Sequence, residues 1–163
     1  MSNLKKIKNK IFSINHLKAQ VTSWKDSKHK IVFTNGCFDI IHRGHVEMLA
    51  RTADLGDKLI IGLNSDNSIQ KLKGVARPII DENARAFLLA GLNFVDAVIL
   101  FHEETPLNLI ASLKPDVLTK GGDYKINTIV GQEIVKEYAG EVVLIPFIDE
   151  YSTTNIVTKI KNS

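Results

Sequence analysis

"TNGCFDIIHRGHVEML", Thr34 to Leu49, overlaps the end of the apolar run "KIVFT" and leads into a segment with apolar residues on one helical face. A buried strand that breaks at a glycine turn and hands over to a helix is the opening unit of an α/β fold. Two of the chain's five histidines stand at that handover: His42 precedes the expected helix and His45 begins it. A helix start carries the positive end of the dipole and unpaired N–H groups, so two imidazoles there can donate to a phosphate. Gly44 between them leaves the backbone open to such a group. Neither G-x-G-x-x-G nor G-x-x-x-x-G-K-[ST] occurs, so the phosphate cradle is of another kind. Two other readings stay open: half of a zinc site, which the scattered His16, His29 and His102 do little to complete, and plain capping and packing.

Outward from this stretch the chain alternates. Ser13 is a plausible N-cap, and Ile14, Leu17, Val21 and Trp24 share one face of a docking helix over about 14–26. The expected strands are "KIVFT", "KLIIGLN", "DAVIL", "DVLTK" and "EVVLIP", and helices fall between them: from His45 to Gly56, a short one before "KLKGVARP", then "ENARAFLLAGL", "PLNLIASL" and "TIVGQEIVKEYAG". A last helix starts near Ser152. Five apolar strands separated by helices predict one Rossmann-like α/β domain, a parallel sheet covered on both faces. Ligands of such sheets bind beyond the carboxyl ends of the strands. The strand exits "GLNSD", "LTKGGDY" and "IPFIDEYSTT" should therefore converge with the histidine stretch on one rim.

The composition suits a globular domain of 163 residues, with 44% hydrophobic and 24% charged residues. No apolar run approaches the roughly 20 residues that cross a bilayer, and "MSNLKKIKNK" has no apolar signal core, so the expected location is the cytoplasm, with no membrane partner. A single cysteine, Cys37, makes no internal disulfide. The net charge of +3 is uneven: residues 1–30 hold eight of the 21 basic side chains and one of the 18 acids. Residues 1–12 read as a basic, frayed arm ahead of a domain over 13–163, and nucleic-acid attachment through that arm is the minor alternative. The mildly acidic remainder argues against nucleic acid as a partner.

Phe38, Asp39, His42, Gly44 and His45 spell F-D-x-x-H-x-G-H after a strand, and with them the chain resembles the HxGH nucleotidyltransferase superfamily in its cytidylyltransferase-like branch. Within that branch "LKGVARP", "LTKGGDY" and "STTNIV" resemble the subgroup that adenylylates D-glycero-β-D-manno-heptose 1-phosphate for ADP-heptose supply in bacterial lipopolysaccharide synthesis. The resemblance implies in-line attack of a sugar 1-phosphate oxygen on the α-phosphorus of ATP, with Mg2+ accompanying the nucleotide and pyrophosphate leaving. It also suggests a homodimer, and a separate kinase to make the sugar phosphate.

Carried onto this chain, His42, His45 and Lys73 are the catalytic candidates, as donors and a cation for phosphates. Thr34, Gly36, Cys37, Phe38, Lys71, Arg85, Gly122, Asp123, Ser152, Thr153 and Thr154 are candidates for nucleotide contact. Asp39, Asp66, Arg77 and Tyr124 are candidates at the sugar phosphate, Asp39 also as an orienter of the histidine loop and Asp66 also at the metal, and no protein ligand set for a metal is assigned. Solvated lysines at 71 and 73, a surface Arg85, turn acids at 39 and 66 and an ordinary turn at Asp123 remain the competing readings. Arg43 departs from the subgroup's usual alanine, and must point outward or join the phosphate site. Phe147 and "IDEYSTT" stand where glycerol-type cytidylyltransferases carry an arginine and R-T-x-G-I-S-T, which weighs against that alternative. A non-catalytic nucleotide-binding module is the alternative of another class.

Overall fold

The computed structural model describes residues 1–122, 128–146 and 151–163. Five parallel strands form one sheet: β1 (Ile31–Gly36), β2 (Lys58–Asn64), β3 (Ala97–Phe101), β4 (Val117–Gly121) and β5 (Glu141–Ile145), in the order β3-β2-β1-β4-β5. The helices among the described residues are α1 (Asn3–Lys8), α2 (Ile14–Asp26), α3 (Arg43–Ala53), α4 (Asp66–Lys73), α5 (Glu82–Ala90), α6 (Leu107–Leu113), α7 (Gln132–Glu137) and α8 (Thr153–Lys161). None is long and apolar enough to cross a membrane. The Rossmann-like α/β fold read from the strand–helix alternation is the one observed.

The pleat divides the core. Ile31, Phe33, Ile60, Ile99 and Leu118 meet Leu17, Val21, Leu109, Ile110 and Val135 of α2, α6 and α7 on one face. Val32, Leu59, Ile61, Leu63 and Val98 meet Met48, Leu49, Ala86 and Leu89 of α3 and α5 on the other. Successive strand residues go to opposite faces, so near-continuous apolar strands are what a doubly covered sheet requires. On α2 the expected face holds at Leu17, Val21 and Trp24, whereas Ile14 is exposed.

The arm is not frayed. Residues 3–8 form α1, capped by Ser2, and Ile11 makes a parallel bridge to Val98. Phe12 donates its N–H to the Val98 carbonyl, Val98 returns one to Lys10, and Ile7, Ile11 and Phe12 pack on the core. The segment covers the otherwise open edge of β3, the usual hazard of a terminal strand. Helices fall short of their sequence pattern at several ends: α3 ends at Ala53, three residues before Gly56, α5 ends at Ala90, two before Leu92, and α7 begins only after Gly131, whose φ of +88° breaks the helical run.

Candidate active site

The strand order reverses between β1 and β4, and there the ladder stops early. β1 pairs with β4 only as far as Thr34 opposite Thr119, but with β2 as far as Gly36 opposite Leu63. The parting strands open a cleft of about 480 Å3 at their carboxyl ends, where open parallel sheets hold ligands. Its walls come from the β1 exit (Asn35 to Asp39), His45 and Met48 of α3, Leu72 and Lys73 of α4, residues 104–106, Lys120 and Gly121 of β4, residues 128–130, and Thr153.

The histidine loop is held under backbone strain. Phe38 and Ile40 have φ of +47° and +52°, a region that non-glycine residues, and branched ones above all, rarely occupy. Asp39 between them is the fastener: its carboxylate accepts the Ile79 N–H at 2.9 Å and the Ile80 N–H at 3.0 Å. Arg77 stands 3.4 Å from the same carboxylate, and the Asp39 carbonyl accepts the Thr153 hydroxyl at 2.9 Å. The candidate sugar-phosphate residues Asp39 and Arg77 are thus engaged with each other, and Asp39 acts on the loop's shape.

His42 is the N-cap of α3, in extended conformation, and His45 is the third residue of the helix, within its first turn. Their rings stack with centroids 3.9 Å apart, and Phe38 meets His45 edge-on at 5.5 Å. Both Nδ1 atoms are buried with no hydrogen-bond partner, a costly state unless a ligand or solvent supplies one. Burial, then the charges of His42 and Lys73, push the His45 pKa down to about 4 against an opposing pull from Asp39. Burial also lowers that of His42. At neutral pH both rings are uncharged hydrogen-bond donors rather than cations. Gly44 serves a different purpose from the one expected. A Cβ there would stand 2.9 Å from Tyr151 Cβ and 3.0 Å from His42 Cε1, so the missing side chain makes room for protein.

Arg85 corrects another expectation. It is fully buried and donates to the Ile80 carbonyl at 2.9 Å, the Cys37 carbonyl at 2.6 Å and Asp66 Oδ1 at 2.7 Å. Its guanidinium joins the histidine loop to α4 and α5 from behind the wall and presents nothing to a nucleotide. Asp66, bound to it and donating its own N–H to Glu82, lies off the cleft wall, which gives no support to a sugar-phosphate role.

Lys73 ends α4 on the wall, beside Gly74 at φ +91°. Lys71 is exposed and off the wall. Cys37, Phe38 and Gly36 line the cleft, but Thr34 is fully buried in the strand ladder, its hydroxyl 3.4 Å from the Thr119 carbonyl. Gly122 is buried and gives its N–H to the Ile145 carbonyl, leaving Gly121 on the wall. Ser152 caps α8 by accepting the Asn155 N–H at 3.0 Å, Thr153 reaches the cleft, and Thr154 is exposed. Asp123, Tyr124 and Phe147 lie outside the described residues. The sequence reading missed Asn35, Met48 and Lys120. Lys120 stood inside "LTKGGDY", where the glycines drew the reading.

A family model for cytidylyltransferase-like proteins matches residues 33–160. The "Bifunctional protein HldE" of Campylobacter concisus is 54% identical over 154 residues, covering 94% of this chain and 31% of that protein. The protein of the same name from Geotalea uraniireducens is 50% identical over 152 residues, covering 93% and 31%. The chain therefore spans about a third of the length of these curated relatives. Among solved structures, a lipopolysaccharide core biosynthesis protein from Thermoplasma volcanium is 31% identical, covers 76% of this chain and 99% of its own, and superposes with a TM-score of 0.62. A pantothenate synthetase from Thermus thermophilus shares the fold at 17% identity, with a TM-score of 0.59 over 93% of this chain and 70% of its own.

Proposed function

Because the chain belongs to the cytidylyltransferase-like family, we propose that it transfers AMP from ATP to a sugar 1-phosphate, D-glycero-β-D-manno-heptose 1-phosphate, giving ADP-heptose and pyrophosphate. The observation that carries the reading is the meeting of His45, Lys73 and Thr153 on one cleft. They come from the three separate segments "HRGH", "LKGVARP" and "STTNIV" that define the sequence resemblance.

In the proposed reaction an oxygen of the acceptor phosphate attacks the α-phosphorus in line. The new P–O bond forms as the bond to the bridging oxygen of the β-phosphate breaks, and that oxygen leaves with the pyrophosphate. Such a transfer asks the protein for position and for donors on the phosphoryl oxygens, not for a nucleophile. Neutral His42 and His45 are suited to donate hydrogen bonds to those oxygens, and Lys73 supplies positive charge beside them. Cys37 and Phe38, at the end of β1, offer backbone and ring to the nucleotide. Thr153 and the start of α8 face the same space.

Mg2+ is part of the proposal. Among the described residues no group of three or more His, Cys, Asp or Glu is placed to hold a metal, while Asp39 and Asp66 are engaged by protein donors. These residues fit a hard ion that arrives on the triphosphate and keeps most of its water, with Glu104 an exposed carboxylate on the wall among the described residues. When bound, it neutralises charge on the leaving pyrophosphate. A cytoplasmic homodimer, supplied with acceptor by a kinase-type phosphorylation of the anomeric hydroxyl, completes the reading.

Purified protein with Mg2+, ATP and the heptose 1-phosphate should release pyrophosphate. No release from that mixture, with turnover of CTP and glycerol 3-phosphate, would transfer the assignment to a cytidylyltransferase. Binding of ATP without turnover of any acceptor would make the chain a nucleotide-binding module.

A further inference from the structure

Asn64 closes β2, where it still pairs with Phe101 of β3. Leu63 packs with α3 and α5, so the pleat sends the Asn64 side chain to the opposite face, the one covered by α2, α6 and α7. There it lines the cleft, yet it is only 4% exposed. No step of the proposed transfer uses it, and an enclosed amide is costly unless both of its polar ends are met.

One end is met inside the protein. Asn64 Nδ2 donates to the Ser68 hydroxyl at 3.0 Å, and that hydroxyl donates to the Glu103 carbonyl at 2.9 Å. Ser68 is fully buried, and Ser65 Oγ, the cap of α4, accepts its N–H at 3.2 Å. A hydroxyl has one hydrogen to give, and a carbonyl can only accept. With that hydrogen committed to Glu103, Ser68 can only accept from Asn64, so the amide cannot turn over without losing a bond. Its nitrogen is fixed toward α4, and its oxygen is the end left over. Among the described residues no donor meets Oδ1. The side-chain atoms there that are both sealed and unpartnered are the two histidine Nδ1 atoms; Oδ1 therefore has an opening, and the space that Asn64 lines is the cleft. The other asparagine on the wall differs, since Asn35 Oδ1 accepts from the Lys120 ammonium at 3.4 Å.

We propose that Asn64 Oδ1 accepts a hydrogen bond from a hydroxyl of the acceptor sugar, with Asn64 a specificity-determining contact and Ser68 its positioning residue. The proposal rests on the nucleotidyl-transfer reading and deepens it. An oxygen that can only accept has nothing to offer a phosphate, whose own oxygens are acceptors, so the tether removes Asn64 from the phosphate chemistry of His45 and Lys73. What remains is a donor such as a hydroxyl. The strand order places that hydroxyl on the acceptor. Cys37 and Phe38, given to the nucleotide, follow β1, and β4 lies beyond them; β2 and β3 stand on the other side of β1, where Glu104 and Thr105 add polar groups to the wall.

The test uses the full chain, N64A and S68A in pyrophosphate-release assays with heptose 1-phosphate and its single-deoxy analogues. N64A should raise the KM for the sugar phosphate about 5- to 50-fold, the range for one hydrogen bond lost in a partly desolvated site, and leave the KM for ATP within about twofold. The parent should reject one deoxy analogue by a similar factor, and N64A should not distinguish that analogue from the full sugar. S68A frees the amide to turn and should lose part of the same discrimination; it carries the test should N64A fail to fold. A lowered melting temperature with discrimination among the analogues intact would make the tether structural only and overturn the proposal. So would a rise confined to the KM for ATP and absent with 2′-deoxy-ATP, which gives the oxygen to the ribose. A shift in the Mg2+ concentration for half-maximal rate would also overturn it, because an amide oxygen can hold that ion. If the parent releases no pyrophosphate with heptose 1-phosphate, the reaction reading fails. Calorimetric titration of heptose 1-phosphate into protein saturated with a non-hydrolysable ATP analogue then decides Asn64 separately. Binding to the parent tighter than to N64A by about fivefold or more sustains the contact, and equal binding, or none, overturns it.

Discussion

Replacing Arg85 with Met tests whether this arginine is a fastener or a nucleotide contact. The guanidinium is fully buried and its three bonds reach the Cys37 carbonyl, the Ile80 carbonyl and Asp66. Methionine fills much of the volume but leaves two carbonyls without a donor. Each such loss costs about 1–3 kcal/mol when the group stays dry. The Asp66 side chain is 31% exposed and can rehydrate in part, so its share is small. A total of about 3–5 kcal/mol follows, the range for breaking a buried charged network from one side. For a domain of this size each kcal/mol shifts the melting temperature by roughly 2–4 °C, so R85M should melt about 6–20 °C lower than the parent. R85K, with one ammonium for three acceptors at fixed positions, should recover less than half of that. Circular-dichroism melts give the first number, and ATP titration at a temperature where both proteins are folded gives the second. A melting temperature within about 2 °C of the parent, together with ATP binding weakened a hundredfold, would refute the fastener reading and reinstate the direct contact expected from the sequence.

The histidines and the glycine between them give three further expectations. His45→Ala should lower kcat by about 10²- to 10³-fold, the scale for removing one donor to a developing charge, while calorimetry shows ATP affinity within tenfold; parallel losses would contradict selective stabilisation of the transition state. The folded-state pKa of His45 lies near 4, below the 6.5 of an unfolded chain, so between those values the unfolded chain binds a proton that the folded one refuses, and stability falls as pH drops from about 6.5 to 4. The loss is at most about 3 kcal/mol, less where solvent screens the ring; urea melts of the parent and His45→Gln at pH 7.5 and 5 should show the parent losing more. Gly44→Ala places a methyl against Tyr151 and His42 and should cost about 1–3 kcal/mol in urea melts, with kcat reduced beyond what the folded fraction explains. Unchanged kcat would show that the stacked geometry of His42 is dispensable.

The elements were legible where a single physical signal decided them. "KLIIGLN" reads as a strand at both ends because it is uniformly apolar and bounded by polar turns, and it is β2 without a residue's difference. α7 was not legible at its start, because Ile129 and Val130 continue the apolar pattern up to a glycine that leaves the helical region. The arm misled because lysine density signals solvation, whereas Ile7, Ile11 and Phe12, too sparse to make a periodic pattern, are the residues that dock it. At the site the motifs located the right segments, since each lies where a strand ends. They did not say which side of the wall a side chain occupies. Arg85 is expected as a ligand contact because a charged residue in a motif carries the same letter whether it faces the cleft or fastens the loop behind it; Asp39 lies on the wall, yet its carboxylate is spent on Ile79, Ile80 and Arg77. Lys120 was passed over for the converse reason: its position matters only because β1 and β4 part beside it, and pairing between strands so distant in sequence leaves no local trace.

Arg43 shows how the same logic settles a departure from pattern. It is the first residue of α3, one position after the N-cap, and a helix turns about 100° per residue, so the side chain after His42 leaves on a different heading from the ring itself. The observed side chain is 68% exposed, with its guanidinium 3.2 Å from the Tyr151 hydroxyl and 5.3 Å from the centre of that ring. It joins the start of α3 to the residue before the N-cap of α8, outside the cleft. Thr153 joins the same two regions from inside, through the Asp39 carbonyl. The position between the histidines is therefore open to a long side chain because it faces solvent. What the site constrains is the loop before it, where two left-handed residues persist only because Asp39, Arg85 and Thr153 hold the same few residues from three directions. Those fasteners place the histidine pair; the phosphate donors are the outcome of that restraint, and a change to any fastener should reach the chemistry through His42 and His45.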